Sequence, residues 1–298
     1  MIGIIGPTAS GKTSLAVAVA AKTGGEIISA DSRQVYIGMD IGSGKDLSEF
    51  TIEGKNIPYH LIDIQKPGYE YNVFEYQRDF HQAYNEIVDR NHIPILCGGT
   101  GMYIEAILKG YKLVPVPRNE VLRAELETKD NKDLTALLMA YKELHNTSDI
   151  TDRNRLIRAI EIELFNKENK ITEEKYPSIK YQLFAINYER DELKKRITKR
   201  LKERLNNGMV EEVKGLLNDG ITVDQLKFYG LEYKFLAQYV NGELKYNDMY
   251  QKLNSSIHQF AKRQMTWFRR MEKHGFKINW IPGNIPFERK VDIVLRKV

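Results

Sequence analysis

The stretch IIGPTASGKTSL, residues 4–15, decides the fold. Gly6, Gly11, Lys12 and Thr13 stand at the spacing G-x-x-x-x-G-K-[ST], after the apolar run Ile2 to Ile5 and before a helical pattern carrying Leu15, Val17 and Val19. A strand turning through glycines into a helix is the setting this motif requires, because its backbone N–H groups then face inward around an anion. The helix N-terminus adds positive potential, Lys12 a point charge, and the Thr13 hydroxyl a ligand for Mg²⁺. The motif leaves open which phosphates are held and whether a phosphoryl group is transferred at all.

Working outward, short apolar runs recur at Gly3–Ile5, Glu26–Ser29, His60–Ile64, Ile93–Cys97, Tyr181–Ile186 and Lys277–Ile281, several of them separated by helical patterns. That alternation predicts an α/β fold with a P-loop NTPase-like parallel sheet core. After Gly110 the texture changes: VPVPR interrupts the pattern, and VLRAELE, DLTALLMAYKEL and NRLIRAIEIELF have helical spacing up to the NKENK turn. Leu193, Ile197, Leu201 and Leu205 predict one long helix from Arg190 to about Leu217, and a last helix carries Tyr250, Leu253, Ile257, Phe260, Gln264, Trp267, Phe268 and Met271. The expected organisation is a core of residues 1–115, a mostly helical insertion lobe of 116–178, and a return to the core with long basic helices and a last strand over 179–298.

At 298 residues with a single cysteine, Cys97, the chain has material for a large core, and a disulfide framework or multi-cysteine zinc site is excluded. No apolar stretch approaches the roughly 20 residues needed to span a bilayer, and the chain opens directly on strand and P-loop, so no membrane association and no leader is expected. A cytoplasmic protein is the reading, with a monomer as the default. The net charge of +5 is unevenly placed: residues 180–298 hold 24 Lys+Arg against 14 Asp+Glu, the first 179 hold 21 against 26. A polyanionic partner larger than a nucleotide fits this surplus; lysine-rich solvated helix faces also would.

The chemistry-bearing residues follow the strand ends. Asp31 ends the apolar run of EIISAD, and in a parallel sheet that position lies at the substrate crevice. It is a candidate general base or indirect Mg²⁺ ligand, or a cap for the next segment. In ILCGGTGMY, residues 95–103, the strand ends in Cys97-Gly98, where a nucleotide-hydrolysing enzyme usually places a metal-holding Asp. The glycine cluster suits close approach by a second substrate, or a tight turn alone. His60 reads as a structural histidine. Arg155 and Arg158 share a helix face, and Arg196, Arg200 and Arg204 recur every four residues; taken alone, each stripe reads as a solvated face.

Together these segments resemble one family, the tRNA dimethylallyltransferases, also called tRNA isopentenyltransferases. The resemblance rests on GPTASGKT, DSRQVY followed by GMDIG, PYHLID, GGTGMY, DRNRLIRAIE, the Arg196/Arg200 helix with NNGMVEEV, and FAKRQMTWFRR, in the family's order from residue 6 to about 270. It implies transfer of a dimethylallyl group from dimethylallyl diphosphate to the exocyclic N6 of adenosine 37, next to the anticodon of tRNA, with Mg²⁺ as cofactor. It further implies that the loop of Gly6, Pro7, Thr8, Ala9, Ser10, Gly11, Lys12 and Thr13 holds the departing diphosphate, with Thr13 on the metal. Asp31 would take the N6 proton, and Arg200, or Arg196, would add charge as the diphosphate leaves. Ser32, Arg33, Gln34 and Thr100 would hold the target nucleotide. Arg123, Asn154, Arg155, Arg158, Lys262, Arg263, Arg269 and Arg270 would meet tRNA phosphates, the helical segment contributing to a tRNA-binding lobe. Trp267 and Phe268 read as helix core.

The chain departs from the family pattern at Gly230-Leu231-Glu232-Tyr233, where Gly-Tyr-Lys-Glu is common, and at Ile257-His258, where Thr-Arg is usual. Both departures fall in the helical region expected to touch tRNA. The competing readings are an adenylate isopentenyltransferase acting on a free nucleotide, for which the basic second half has no use, and a P-loop NTPase or kinase, or an RNA-binding module with a relic loop. The strand-end Cys97 disfavours hydrolysis; the intact Lys12, Thr13 and Asp31 disfavour a relic.

Overall fold

The computed structural model describes residues 1–141, 152–169 and 176–298, which fall into two compact units, Met1–Tyr111 with Pro177–Val298, and Lys112–Tyr176. The first unit is built on a six-stranded, wholly parallel sheet. Its strands belong to the set β1 (Ile2–Ile5), β2 (Gly25–Ala30), β3 (Thr51–Ile52), β4 (Lys55–Asn56), β5 (Tyr59–His60), β6 (Ile93–Gly98), β7 (Gln182–Asn187) and β8 (Ile278–Pro282), in the order β5-β2-β6-β1-β7-β8. The small antiparallel pair β3–β4 stands apart from it. Every residue of β1 and β2 is buried, as central parallel strands covered on both faces must be.

The strand period of two sends alternate side chains to two cores. Ile4, Ile27, Ile95, Phe184 and Ile281 pack with α1 (Lys12–Thr23), while Ile5, Ile28, Leu96 and Ala185 belong to the larger core on the other face. That second face is covered by α2 (Val73–Asp89), whose Asn72 and Glu75 close a capping box, and by α3 (Gly101–Lys109). In the second unit α4 (Glu120–Glu127), α5 (Asn131–Met139) and α6 (Arg153–Glu168) enclose a core of Leu126, Leu134, Leu138, Leu156, Ile157 and Ile160. Residues 142–144 of the DLTALLMAYKEL helix and Lys170 of the NKENK turn lie outside the described residues.

The chain then returns through α7 (Arg190–Asn206), α8 (Met209–Asn218), α9 (Val223–Phe228), α10 (Leu231–Val240), α11 (Tyr246–Lys273) and α12 (Phe287–Leu295). Three expectations need correction. The helix expected from Arg190 to Leu217 is two helices, because Gly208 sits at φ 96° and re-aims the chain so that Met209 enters the core. The run His60–Ile64 is strand only at Tyr59–His60, since Leu61 and Asp63 take positive φ and Asp63 turns back to the buried ammonium of Lys45. A C-terminal helix, α12, was not foreseen; its Val291 and Val294 pack with the α1 side of the sheet.

Candidate active site

Because β6 lies between β1 and β2, the loops leaving the carboxyl ends of these three strands are neighbours. They carry the P-loop, Asp31 and the Gly98–Gly101 turn, and they surround a cavity of about 330 Å³. The wall is completed by Gly42–Gly44, by Arg200 and Arg204 of α7, and by Phe260, Arg263, Gln264 and Trp267 of α11.

The P-loop residues Thr8 to Thr13 face this cavity; Gly6 and Pro7 do not, and act behind it. A Cβ on Gly6 would approach the buried Ser10 hydroxyl to 2.7 Å, so the glycine is a packing requirement. Ala9 and Gly11 hold φ of 62° and 80°, and the Ala9 carbonyl accepts from Nε of Arg196 at 2.9 Å. Arg196 in turn lies over the Tyr188 ring at 4.6 Å and does not line the cavity. Arg196, expected as the alternative to Arg200 beside the leaving group, is held here by the loop backbone at Ala9. Arg200 lines the cavity itself.

Charge in the cavity is unbalanced locally. Burial pulls the Lys12 ammonium below its usual range, with Asp31 opposing that shift. Burial, then the like charge of Arg204, brings Arg200 down to about 10, which leaves it charged near neutrality. Among the described residues neither Lys12 nor Arg200 forms an ion pair, whereas Arg204 is tied to Asp46 at 2.9 Å. Arg200 and Arg204 are thus not the solvated stripe that spacing alone suggests. Glu49 is pushed up by burial, against the Ser14 hydroxyl that donates to it at 3.1 Å. Burial raises the Cys97 thiol to about 12, so the strand end offers a neutral thiol where hydrolases offer a carboxylate. Among the described residues no three His, Cys, Asp or Glu side chains converge as a metal site.

Asp31 combines a local capping bond with a place on the cavity lining. One carboxylate oxygen accepts from the Arg33 amide at 3.1 Å, and the side chain lines the cavity. Ser32 and Thr100 are joined across the strand ends, the Ser32 amide donating to the Thr100 hydroxyl at 3.0 Å while the Thr100 amide donates to the Ala30 carbonyl at 3.0 Å. Gln34 donates to the Gly44 carbonyl at 3.1 Å and accepts from Ser29. Arg33 lies 5.0 Å over Phe260 and 3.5 Å from Glu232. All four line the cavity or brace its rim.

The large apolar side chains of the lining are Met102, Phe260 and Trp267. Phe268 is core as expected; Trp267 is partly buried against that core and also lines the cavity, its ring lying against Gly101, where a side chain would collide with it, and under Arg270 at 4.1 Å, which pairs with Glu105 at 2.7 Å. Of the basic residues assigned to RNA, Arg263 lines the cavity, and Lys262 faces a neighbouring cleft with Arg190, Lys194 and Arg269. In the second unit Asn154 and Arg155 are exposed, while Arg123 and Arg158 are committed to the buried carboxylate of Glu161. The Glu232 departure lies in the cavity wall, and Ile257 is buried with His258 bonded to Thr198, so neither departure is a simple surface change. Asp46, Glu49, Phe260, Gln264 and Trp267 were missed as site residues. Phe260, Gln264 and Trp267 carried a signal, since at 260, 264 and 267 they share one face of α11.

Two family profiles match the chain: one described as IPP transferase over residues 34–271, and one as Isopentenyl transferase over residues 1–59. A tRNA dimethylallyltransferase 2 of Bacteroides fragilis is 53% identical over all of this chain and 97% of its own length. A tRNA dimethylallyltransferase 1 of Porphyromonas gingivalis is 53% identical over 99% of this chain and 98% of its own. Among solved structures, the full-length tRNA isopentenylpyrophosphate transferase of Bacillus halodurans superposes with a TM-score of 0.71 at 30% identity, covering 99% of this chain and 94% of that one. The chain belongs to the IPP transferase family.

Proposed function

With that membership as premise, we propose that the chain transfers the dimethylallyl group of dimethylallyl diphosphate to N6 of adenosine 37 in tRNA, giving N6-(dimethylallyl)adenosine. The observation that carries this reading is the cavity itself, whose lining brings Lys12 and Arg200, neither in an ion pair among the described residues, together with the apolar Met102, Phe260 and Trp267 and with Asp31. An anionic leaving group, a short apolar chain and an amine to be deprotonated are the three things such a space suits.

In the reaction the allylic C–O bond breaks and its electron pair leaves with the diphosphate. The inward N–H groups of the loop, Lys12 and Arg200 stabilise the charge that develops there. The N6 lone pair, delocalised into the purine in the ground state, forms the new C–N bond as Asp31 accepts the N6 proton. Ser32, Arg33, Gln34 and Thr100 hold the acceptor adenosine. That base must leave its stack, at a cost of a few kcal/mol that is smallest in an unpaired loop. The Thr13 hydroxyl, at the head of α1 and on the cavity lining beside Lys12, would hold a Mg²⁺ there, a hard cation that takes oxygen ligands. Bound there, Mg²⁺ supplies further neutralisation of the leaving diphosphate. Lys262, Arg263, Asn154 and Arg155 meet the tRNA backbone, and the reading is of a cytoplasmic monomer.

The test is incubation with dimethylallyl diphosphate, Mg²⁺ and a tRNA carrying adenosine 37. One isopentenyl unit added per tRNA is the expected mass change. Equal labelling of free AMP, or none of tRNA, overturns the reading.

A further inference from the structure

The segment Asp40–Asp46 gives the cavity Gly42, Ser43, Gly44 and Asp46 of its lining, with Arg200 and Arg204, and a buried and a half-buried charge clamp it from either end. At one end the carboxylate of Glu212, from α8, accepts from three successive backbone amides: Asp40 at 2.8 Å, Ile41 at 2.6 Å and Gly42 at 3.0 Å. A fourth donor is the Tyr233 hydroxyl at 2.8 Å, which itself accepts from the Ser43 amide at 3.2 Å. Four donors on one carboxylate form a charge-assisted network that sets several backbone dihedrals at once. At the other end Lys45, fully buried, donates to the Tyr36 carbonyl and to Asp40, both at 2.6 Å, and to Asp63.

Between the clamps lies Gly44, at φ 73°, where a Cβ would strike a guanidinium nitrogen of both Arg200 and Arg204. The two arginines therefore rest directly on the Gly44 backbone. Arg204 has Asp46 to hold it, and Arg200 has no ion pair among the described residues. The place of Arg200 in the cavity is thus defined by the backbone it rests on. The geometry points to Glu212 as a positioning residue: through the 40–46 loop it fixes the Arg200 guanidinium where the diphosphate binds. This rests on the cavity reading proposed above, and deepens it by adding a residue that touches no substrate.

The test is a double-mutant cycle read by calorimetric titration of inorganic pyrophosphate into the full chain, with tRNA affinity and urea midpoint as controls. Glu212→Gln keeps the shape but replaces one acceptor oxygen with a donor. It should weaken pyrophosphate binding on the order of tenfold with tRNA affinity unchanged within about twofold, and should add nothing in an Arg200→Ala background. Additive losses in the double variant, or unchanged pyrophosphate binding in Glu212→Gln, overturn the inference while leaving the cavity reading standing. Unchanged pyrophosphate binding in Arg200→Ala overturns the cavity reading and this inference together. If Glu212→Gln does not fold, Tyr233→Phe decides: it keeps the ring on Gly42 but removes the hydroxyl, and a loss confined to the Arg200-containing background supports the role, whereas no loss overturns it.

Discussion

Gln264 accepts a hydrogen bond from the Thr8 amide at 2.9 Å and donates one to the Gly99 carbonyl at 2.9 Å, so one buried side chain from α11 joins the phosphate loop to the glycine turn. The fit is close, since a Cβ on Gly99 would reach its amide nitrogen at 2.5 Å. Gln264→Leu has the right bulk but strands one donor and one acceptor, at a cost of about 1–3 kcal/mol. We expect a lower urea midpoint and a reduced kcat. Gln264→Glu, which keeps the acceptor for Thr8 and loses the donor to Gly99, should lie between them. A Leu variant with wild-type stability and turnover would remove Gln264 from the architecture of the site.

Asp31 has a capping bond to the Arg33 amide besides its place in the cavity, and the two roles separate by substitution. Asp31→Asn retains a side-chain oxygen for the cap but cannot accept the N6 proton. Single-turnover transfer should slow by on the order of 10² or more, with pyrophosphate and tRNA affinities nearly unchanged. If transfer persists at the wild-type rate, the proton goes elsewhere.

The sheet was legible because parallel strands buried on both faces leave near-continuous apolar runs, as in β1, β2 and β7. The P-loop and Asp31 were legible because strand ends carry the chemistry in such sheets. What escaped has physical reasons too. An apolar period says nothing about which members of a helix face meet solvent in a cavity, so Trp267 and Phe268 looked alike although one lines the site and the other is core. Arginines four apart look solvated until an element distant in sequence covers them, as Gly44 does for Arg200 and Arg204. Arg196 shows the opposite case: the family motif marks it, but its guanidinium is held by the loop backbone at Ala9.

Far from the cavity, Glu26 is buried under Arg90 (2.8 Å), His60 (2.6 Å) and His92 (2.6 Å). The Arg90 hydrogen bond, with help from both histidines, holds its carboxyl down at about 2, against burial that pushes it up. Because the folded value lies below the unfolded one, this stabilisation is complete above pH 4.5 and is lost as pH falls through about 2. With Arg90 and His92 half exposed, it amounts to roughly 1–3 kcal/mol. Urea midpoints measured from pH 5.5 down to about 2 should fall less steeply for Glu26→Gln than for wild type. Part of the acid slope should survive, because Glu161 in the second unit is also held at about 2. An unchanged slope would mean the cluster contributes nothing to acid sensitivity.

Lys262 and Arg263 are adjacent on α11, yet they face different spaces, and the salt dependence of tRNA binding should tell them apart. Each cation that neutralises a phosphate releases a counterion, so its loss lowers the slope of log K against log salt by about 0.7–0.9. Lys262, exposed in the cleft beside Arg190, Lys194 and Arg269, has no partner in the reaction cavity. Lys262→Ala should therefore weaken tRNA binding and flatten the slope while kcat at saturating tRNA stays the same. Arg263 lies on the cavity wall, 5.9 Å over the Phe260 ring, so Arg263→Ala should lower the slope and kcat together. Arg123→Ala offers the contrast, because its guanidinium is bidentate to the buried Glu161, with Nε at 3.1 Å and Nη2 at 2.8 Å. Its removal should destabilise the second unit by about 1–3 kcal/mol, since Glu161 loses a bidentate partner but keeps Arg158 and the Asn119 amide, and any loss of tRNA affinity should follow that unfolding with an unchanged salt slope in the folded fraction. Anisotropy titrations of labelled tRNA between about 50 and 200 mM salt measure all three. A full slope in Lys262→Ala would move the backbone path off this face of α11.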